Sequence, residues 1–143
     1  MNGCTNAVGV DGSEAMIRKA KSRGGGEFHH ALLPEWKPSN RFDLVHSMEF
    51  LYYLLDPAAM LKSLHDEWLN NEGILVAGVD HYLENEDSHD WPSALNVHMA
   101  LLSVEQWKQA MIDAGFVDVQ MHRAAASDAF LGTLVMIGRK QSD

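Results

Sequence analysis

Three apolar runs in this chain each end in a polar cluster. "AVGV" runs into Asp11 and Gly12, "FDLVH" into Ser47, Met48 and Glu49, and "GILVAGV" into Asp80 and His81. An ionised Asp11 offers two acceptor oxygens, which suits the paired hydroxyls of a ribose. Gly12, lacking a side chain, lets a nucleoside ring approach the backbone. Glu49 is placed to anchor a cationic group or to take up a proton. Asp11 serves equally well as an assistant to the helix cap at Ser13, and the residue alone does not separate the two roles. Tyr52 and Tyr53 could form an aromatic wall for a cation, although buried packing suits at least one of them. His81, Tyr82 and Trp91 are further pocket candidates.

The elements that must carry these groups alternate. After Ala7–Val10 the apolar positions Ala15, Met16, Ile17 and Ala20 fall on one helical face, with Ser13 as cap. Gly24 to Gly26 read as a helix stop and turn, because a phosphate-cradling loop follows a strand and these follow a helix. "EFHHALL" is a short strand candidate, and "LPEWKPSN" breaks it into a connecting loop. "RFDLVHSM" is a clearer strand.

A second helix is capped by Asp56 with Pro57 at its first position. It buries Met60, Leu61, Leu64 and Trp68, and "NNEG" is expected to end it. "GILVAGVD" has the near-continuous apolar character of a strand covered on both faces. Residues 81–96 are polar, aromatic and irregular, and read as a loop or short helix at a sheet edge. Ser103 to Gln106 match a capping box. Trp107, Met111 and Ala114 make the stripe of the helix that follows, which ends at Gly115. "FVDVQM" and "LGTLVMIGR" close the chain as a hairpin. Trp68 and Trp107 are core by register. The alternation predicts an α/β fold with a mostly parallel sheet, helices on its faces and a C-terminal antiparallel hairpin. Ligands of such sheets bind beyond the carboxyl ends of the strands, where the three polar clusters lie.

The totals limit the function. With 143 residues and 46% hydrophobic content, the chain suggests one domain. A formal net charge of -9 repels a phosphate backbone, so nucleic acid is not an expected partner. No apolar run approaches the roughly 20 residues of a membrane span, and no charged-then-apolar leader opens the chain. Cys4 is the one cysteine, which leaves no internal disulfide and no cysteine-based zinc site. A cytoplasmic setting is the expectation. Eight histidines lack the i, i+4 spacing with a supporting carboxylate that a metalloprotease-type site needs, so no metal is expected.

The stretches "VGVDGSEAMIRKAK", "FDLVHSMEFLYYLLDPAAMLKSLHDEWLNNEGILVA" and "LLSVEQWKQAMIDAGFVDV" resemble, in order and spacing, successive segments of the class I methyltransferases that use S-adenosylmethionine. The resemblance implies a three-layer Rossmann-like fold and S-adenosylmethionine as cofactor. It implies that Asp11 holds the cofactor ribose, with Gly12 and Met16 beside the adenine. Ser47, Met48 and Glu49 would line the methionine side and the acceptor pocket. The family's third strand usually runs into an acid, whereas here His29 or His30 would stand near that position.

The glycine-rich loop of the family and the strand before it have no counterpart upstream of "VGVDGS", and "NGC" at Asn2 to Cys4 is too close to Asp11 to supply them. The first, central strand is therefore missing from the expected sheet. An N-terminally truncated domain, a second copy in a homodimer, or a rearranged strand pairing would account for the gap. "MEFLYYLLDPAAMLKSLH" is locally similar to histamine N-methyltransferases, in which a polar residue at the Glu49 position meets the substrate. Two readings follow: a methyltransferase acting on a small-molecule acceptor, or a non-catalytic remnant or subunit of that fold acting by association. A nicotinamide-dependent oxidoreductase is disfavoured because no G-x-G-x-x-G follows a strand.

Overall fold

The computed structural model describes residue 4 and residues 6–143, so Asn2 and Gly3 of the "NGC" segment lie outside the described residues. The chain divides into two compact units, Met1–Ser39 and Asn40–Asp143.

The first unit is a βαβ arrangement. Strand β1 (Val8–Asp11) pairs in parallel with β2 (Glu27–His30), Asp11 opposite His30, and α1 (Glu14–Arg23) connects them. Ser13 caps α1 by accepting the Met16 N–H at 3.3 Å. Gly24 ends it at φ 68°, a left-handed conformation that favours glycine, so the expected helix stop is present. The apolar stripe of α1 is narrower than its sequence pattern. Ile17 is buried, while Ala15 is exposed and Met16 remains 54% exposed, because a two-stranded sheet gives a helix little surface to cover.

The second unit holds a four-stranded sheet in the order β3-β4-β6-β5. Strand β3 (Phe42–Met48) runs parallel to β4 (Leu69–Val79). Strand β6 (Thr133–Arg139) is antiparallel to both β4 and β5 (Val117–Ala124), which makes the expected edge hairpin. Helix α2 (Pro57–Ser63) starts as its sequence predicts, with Asp56 Oδ1 accepting the Ala59 N–H at 2.9 Å. A cap of this kind is worth about 1 kcal/mol. The helical path continues through a widened turn over Leu64–Trp68, which keeps Leu64 and Trp68 buried with Met60 and Leu61.

"NNEG" does not end the helix as expected; it belongs to β4. Glu72 turns the strand at φ 63°, and the β3–β4 register slips between Phe42 and Leu44. Side-chain bonds hold this irregular stretch in the sheet: Asn70 Nδ2 donates to Asp43 Oδ1 at 2.8 Å, and Arg139 and Ser142 both bond the Glu72 carboxylate.

Helix α4 (Val104–Asp113) carries the complete capping box, with Ser103 and Gln106 bonding each other's backbone N–H. It lies on the β4–β6 face bearing Leu75 and Gly138, since a Cβ at Gly138 would fall 2.8 Å from Met111 Cε. Leu61, Leu69, Leu75, Ala77, Trp107, Met111 and Met136 are fully buried there. Coverage of β4 on both faces is incomplete: Ile74 is 39% exposed, and its β3 neighbour Leu44 is 59% exposed.

Among the described residues β1 is paired with β2 alone, and β3 with β4 alone. No helix among them is long and apolar enough to cross a membrane.

Candidate functional site

At the carboxyl end of β1, the Asp11 carboxylate accepts the Ser13 backbone N–H through Oδ1 at 2.7 Å. The capping role is therefore present, and it occupies one oxygen. Oδ2 makes no hydrogen bond among the described residues, and Asp11 is exposed. Gly12 follows with its carbonyl accepting from His30 Nε2 at 3.1 Å. A Cβ on Gly12 would lie 3.1 Å from Leu32 Cδ2, so this backbone is approached closely on one side. The two histidines diverge, as adjacent strand residues must. His30 turns to Gly12, whereas His29 pairs with Glu27 Oε1 at 2.7 Å and packs its ring 5.1 Å from Trp36.

In the second unit, Met48 pairs with Gly78, so Glu49 and Asp80 follow the carboxyl ends of two neighbouring parallel strands. Ser47 is half-buried and Met48 is 42% exposed. Met48 lies over Gly78, where a Cβ would come within 2.5 Å of its Cε. Glu49 has φ 53°, uncommon for a residue with a side chain and costing on the order of 1 kcal/mol or more. Its N–H donates to the Gly78 carbonyl at 2.9 Å.

The Tyr52 hydroxyl donates to Glu49 Oε2 at 2.8 Å, and Oε1 is buried with no partner. Burial pushes the Glu49 pKa above its ordinary value and the nearby Asp80 charge adds to this, while the Tyr52 hydroxyl and the Asp80 amide oppose it. Tyr52 is itself pushed far up, by burial and by its bond to Glu49. Asp80 Oδ1 is also buried without a partner.

His81 is 1% exposed, and its Nδ1 lies 3.0 Å from the Ser88 carbonyl and 3.2 Å from Ser88 Oγ. Burial holds its pKa below the usual histidine value. Its ring meets Tyr52 edge-on at 5.6 Å and stacks on Trp91 at 6.2 Å. Trp91 opens the short helix α3 (Trp91–Leu95), which follows a turn at Glu86–Ser88 in the segment expected to be irregular. Tyr53 is 43% exposed with its ring 4.6 Å from Tyr52.

Contacts thus link Glu49, Tyr52, Tyr53, His81 and Trp91 from one side chain to the next, and Asp80 acts on Glu49. Tyr82 instead closes the core, fully buried, its hydroxyl donating to the Gly132 carbonyl at 2.7 Å. Asp80 and Ser88 complete this cluster and were not singled out as site residues. The acid ending an apolar strand was a usable signal for Asp80. Nothing in the residue pattern marks Ser88.

A family model described as a methyltransferase domain matches residues 1–121. Comparison with curated proteins finds no match. Among solved structures, a Haloferax volcanii protein determined in complex with the Trm112 methyltransferase activator is 24% identical, with TM-score 0.79, over 99% of this chain and 74% of that one. An S-adenosylmethionine-dependent methyltransferase from Mesorhizobium loti is 21% identical, with TM-score 0.76, over 96% of this chain and 81% of that one. A Thermotoga maritima methyltransferase described as a possible histamine N-methyltransferase is 22% identical, with TM-score 0.69, over 94% of this chain and 72% of that one. These identities establish a shared fold.

Proposed function

The chain belongs to the methyltransferase-domain family, and we propose that it transfers a methyl group from S-adenosylmethionine to a small-molecule acceptor. The observation that carries this reading is Asp11. It ends β1 with one carboxylate oxygen committed to the cap and the other unbonded beside Gly12, an acceptor suited to a sugar hydroxyl. Gly12 and Met16 would lie against the adenine, and His29 or His30 near its amine.

When bound, S-adenosylmethionine supplies an electrophilic methyl carbon on a sulfonium. The chain's own residues then have a limited task. They bind the acceptor, align its lone pair and hold its charge. Glu49 is the residue proposed to act on the acceptor, with Tyr52, Tyr53, His81 and Trp91 around it. Tyr82 would support this group from the core.

Incubating the chain with S-adenosylmethionine carrying a deuterated methyl and a mixture of small amines, phenols and thiols tests the reading by mass spectrometry. A deuteromethylated product that disappears in Glu49→Gln supports it, and no labelled product with any acceptor overturns it.

A second reading, a non-catalytic member of the family acting by association with another copy or partner, is favoured by one observation. Among the described residues strand β3 is hydrogen-bonded to a neighbour on one side alone, and an unpaired edge is a template for strand addition.

A further inference from the structure

Six large apolar residues of the second unit stand exposed on three neighbouring segments: Tyr53 and Leu55 after β3, Leu83 after β4, and Leu95, Val97 and Leu101 in and beyond α3. Hydrogen bonds hold those segments side by side. The Ala100 N–H donates to the Tyr52 carbonyl at 2.7 Å and His98 Nε2 donates to the Leu54 carbonyl at 3.2 Å, so residues 98–100 run antiparallel along the 52–54 turn. The Leu83 N–H donates to the Leu102 carbonyl at 2.9 Å, next to Leu101. The Val97 N–H returns to the Pro92 carbonyl at 3.1 Å, which ties this strap to α3.

Scattered exposed apolar residues are ordinary on a protein surface, whereas a group of them on adjoining segments marks a place where something docks. Leu55 is 86% exposed and Leu95 is 60% exposed. No residue of α3 is buried, although so short a helix draws its stability from a packed face rather than from its own hydrogen bonds.

The charge around this surface selects the occupant. Asp56, Glu84, Glu86, Asp87 and Asp90 are exposed on or beside the same segments, and no lysine or arginine occurs between Lys62 and Lys108. Asp56 and Glu84 each accept a backbone N–H, which leaves their charge in place. Arg123 reaches this region from β5, where it acts on Tyr82. A second copy of the chain, an anionic lipid surface or a nucleic acid would each set like charge against these acids. A cationic partner would not.

We propose that this surface docks a basic amphipathic helix of another protein, with its apolar side on Leu55, Leu95, Val97 and Leu101 and its Lys or Arg residues against Glu86, Asp87 and Asp90. A helix suits the surface better than a strand, because the turn and the strap already bond each other through Tyr52, Leu54, His98 and Ala100. The surface uses neither Glu49 nor Asp11, so it does not depend on methyl transfer.

The test is fluorescence anisotropy of the full chain with three labelled peptides of about 18 residues, long enough to form a helix in water. One is an amphipathic Leu/Lys peptide, the second a Leu/Glu peptide with the same apolar face, and the third a Leu/Lys peptide scrambled to abolish that face. The expected result is saturable binding of the first and at least tenfold weaker binding of the other two. Leu55→Ser with Leu95→Ser, and separately Glu86→Lys with Asp87→Lys, should each weaken the first peptide at least tenfold. Ile112→Ser, at an exposed apolar position on α4, should leave it unchanged. Equal binding of the scrambled peptide would overturn the proposal, since charge alone would then hold the partner, and equal binding of the Leu/Glu peptide would overturn it from the other side. No binding of any peptide would also overturn it, and cosedimentation with phosphatidylglycerol vesicles in that case would assign the surface to a membrane instead. The peptide series on the unaltered chain decides the matter even where a variant fails to fold.

Discussion

Tyr52 donates its hydroxyl to Glu49 Oε2 at 2.8 Å across three residues, satisfying one carboxylate oxygen and leaving the other buried and unmet. Glu49 carries this carboxylate on a left-handed backbone, at φ 53°.

The balance at Glu49 sets a pH dependence. Burial raises its folded-state pKa above 4.5, so its contribution to stability is fully present below that value and is lost as pH rises through the folded pKa. Glu49→Gln removes the loss. Urea unfolding measured from pH 4 to 7 is expected to show the variant gaining on the parent chain as pH increases; a constant difference would contradict the assignment.

His81 acts in the opposite direction. Its folded-state pKa is depressed below 6.5 by burial, so the stability it contributes is present above 6.5 and lost as pH falls through the folded value. His81→Phe loses the bonds to Ser88 but cannot become charged. Its unfolding free energy should fall less steeply than the parent's between pH 7 and 5.

The Asp56 cap offers a local control. Asp56→Ala removes the bond to the Ala59 N–H and is expected to cost about 1 kcal/mol in denaturant unfolding, with Asp56→Asn recovering most of it. Neither change touches the residues around Glu49.

Removing the Tyr52 hydroxyl deprives Glu49 Oε2 of its side-chain donor. Tyr52→Phe is expected to destabilise the chain by roughly 1–3 kcal/mol at neutral pH, the usual cost of an unmet buried acceptor. Combining it with Glu49→Gln should recover part of that loss in a double-mutant cycle, because the desolvated charge is then gone.

Legibility in the sequence followed range. The capping box at Ser103 and Gln106, the Asp56–Pro57 start and the glycine stop at Gly24 each lie within four residues, and each was readable. The parallel pairs β1–β2 and β3–β4 and the closing antiparallel hairpin were readable from the alternation of elements. The His81–Ser88 bond spans seven residues of irregular chain, and the Tyr82–Gly132 bond spans fifty. No local pattern reports such contacts, which is why Tyr82 was expected in a pocket and Ser88 went unnoticed. "NNEG" misled for a related reason. Its turn residues do turn the chain, but Asp43, Arg139 and Ser142 hold that turn inside a strand.

The measurement that bears most directly on the central claim is calorimetric titration with S-adenosylhomocysteine of the parent chain and of Asp11→Asn. The variant keeps an oxygen to accept from Ser13 and replaces the unbonded one with an amide that cannot accept. The account predicts micromolar binding by the parent and at least tenfold weaker binding by the variant, a loss of about 1.4 kcal/mol or more, with unfolding stability unchanged. Equal affinity in the two, or no binding by a folded parent chain, would contradict it.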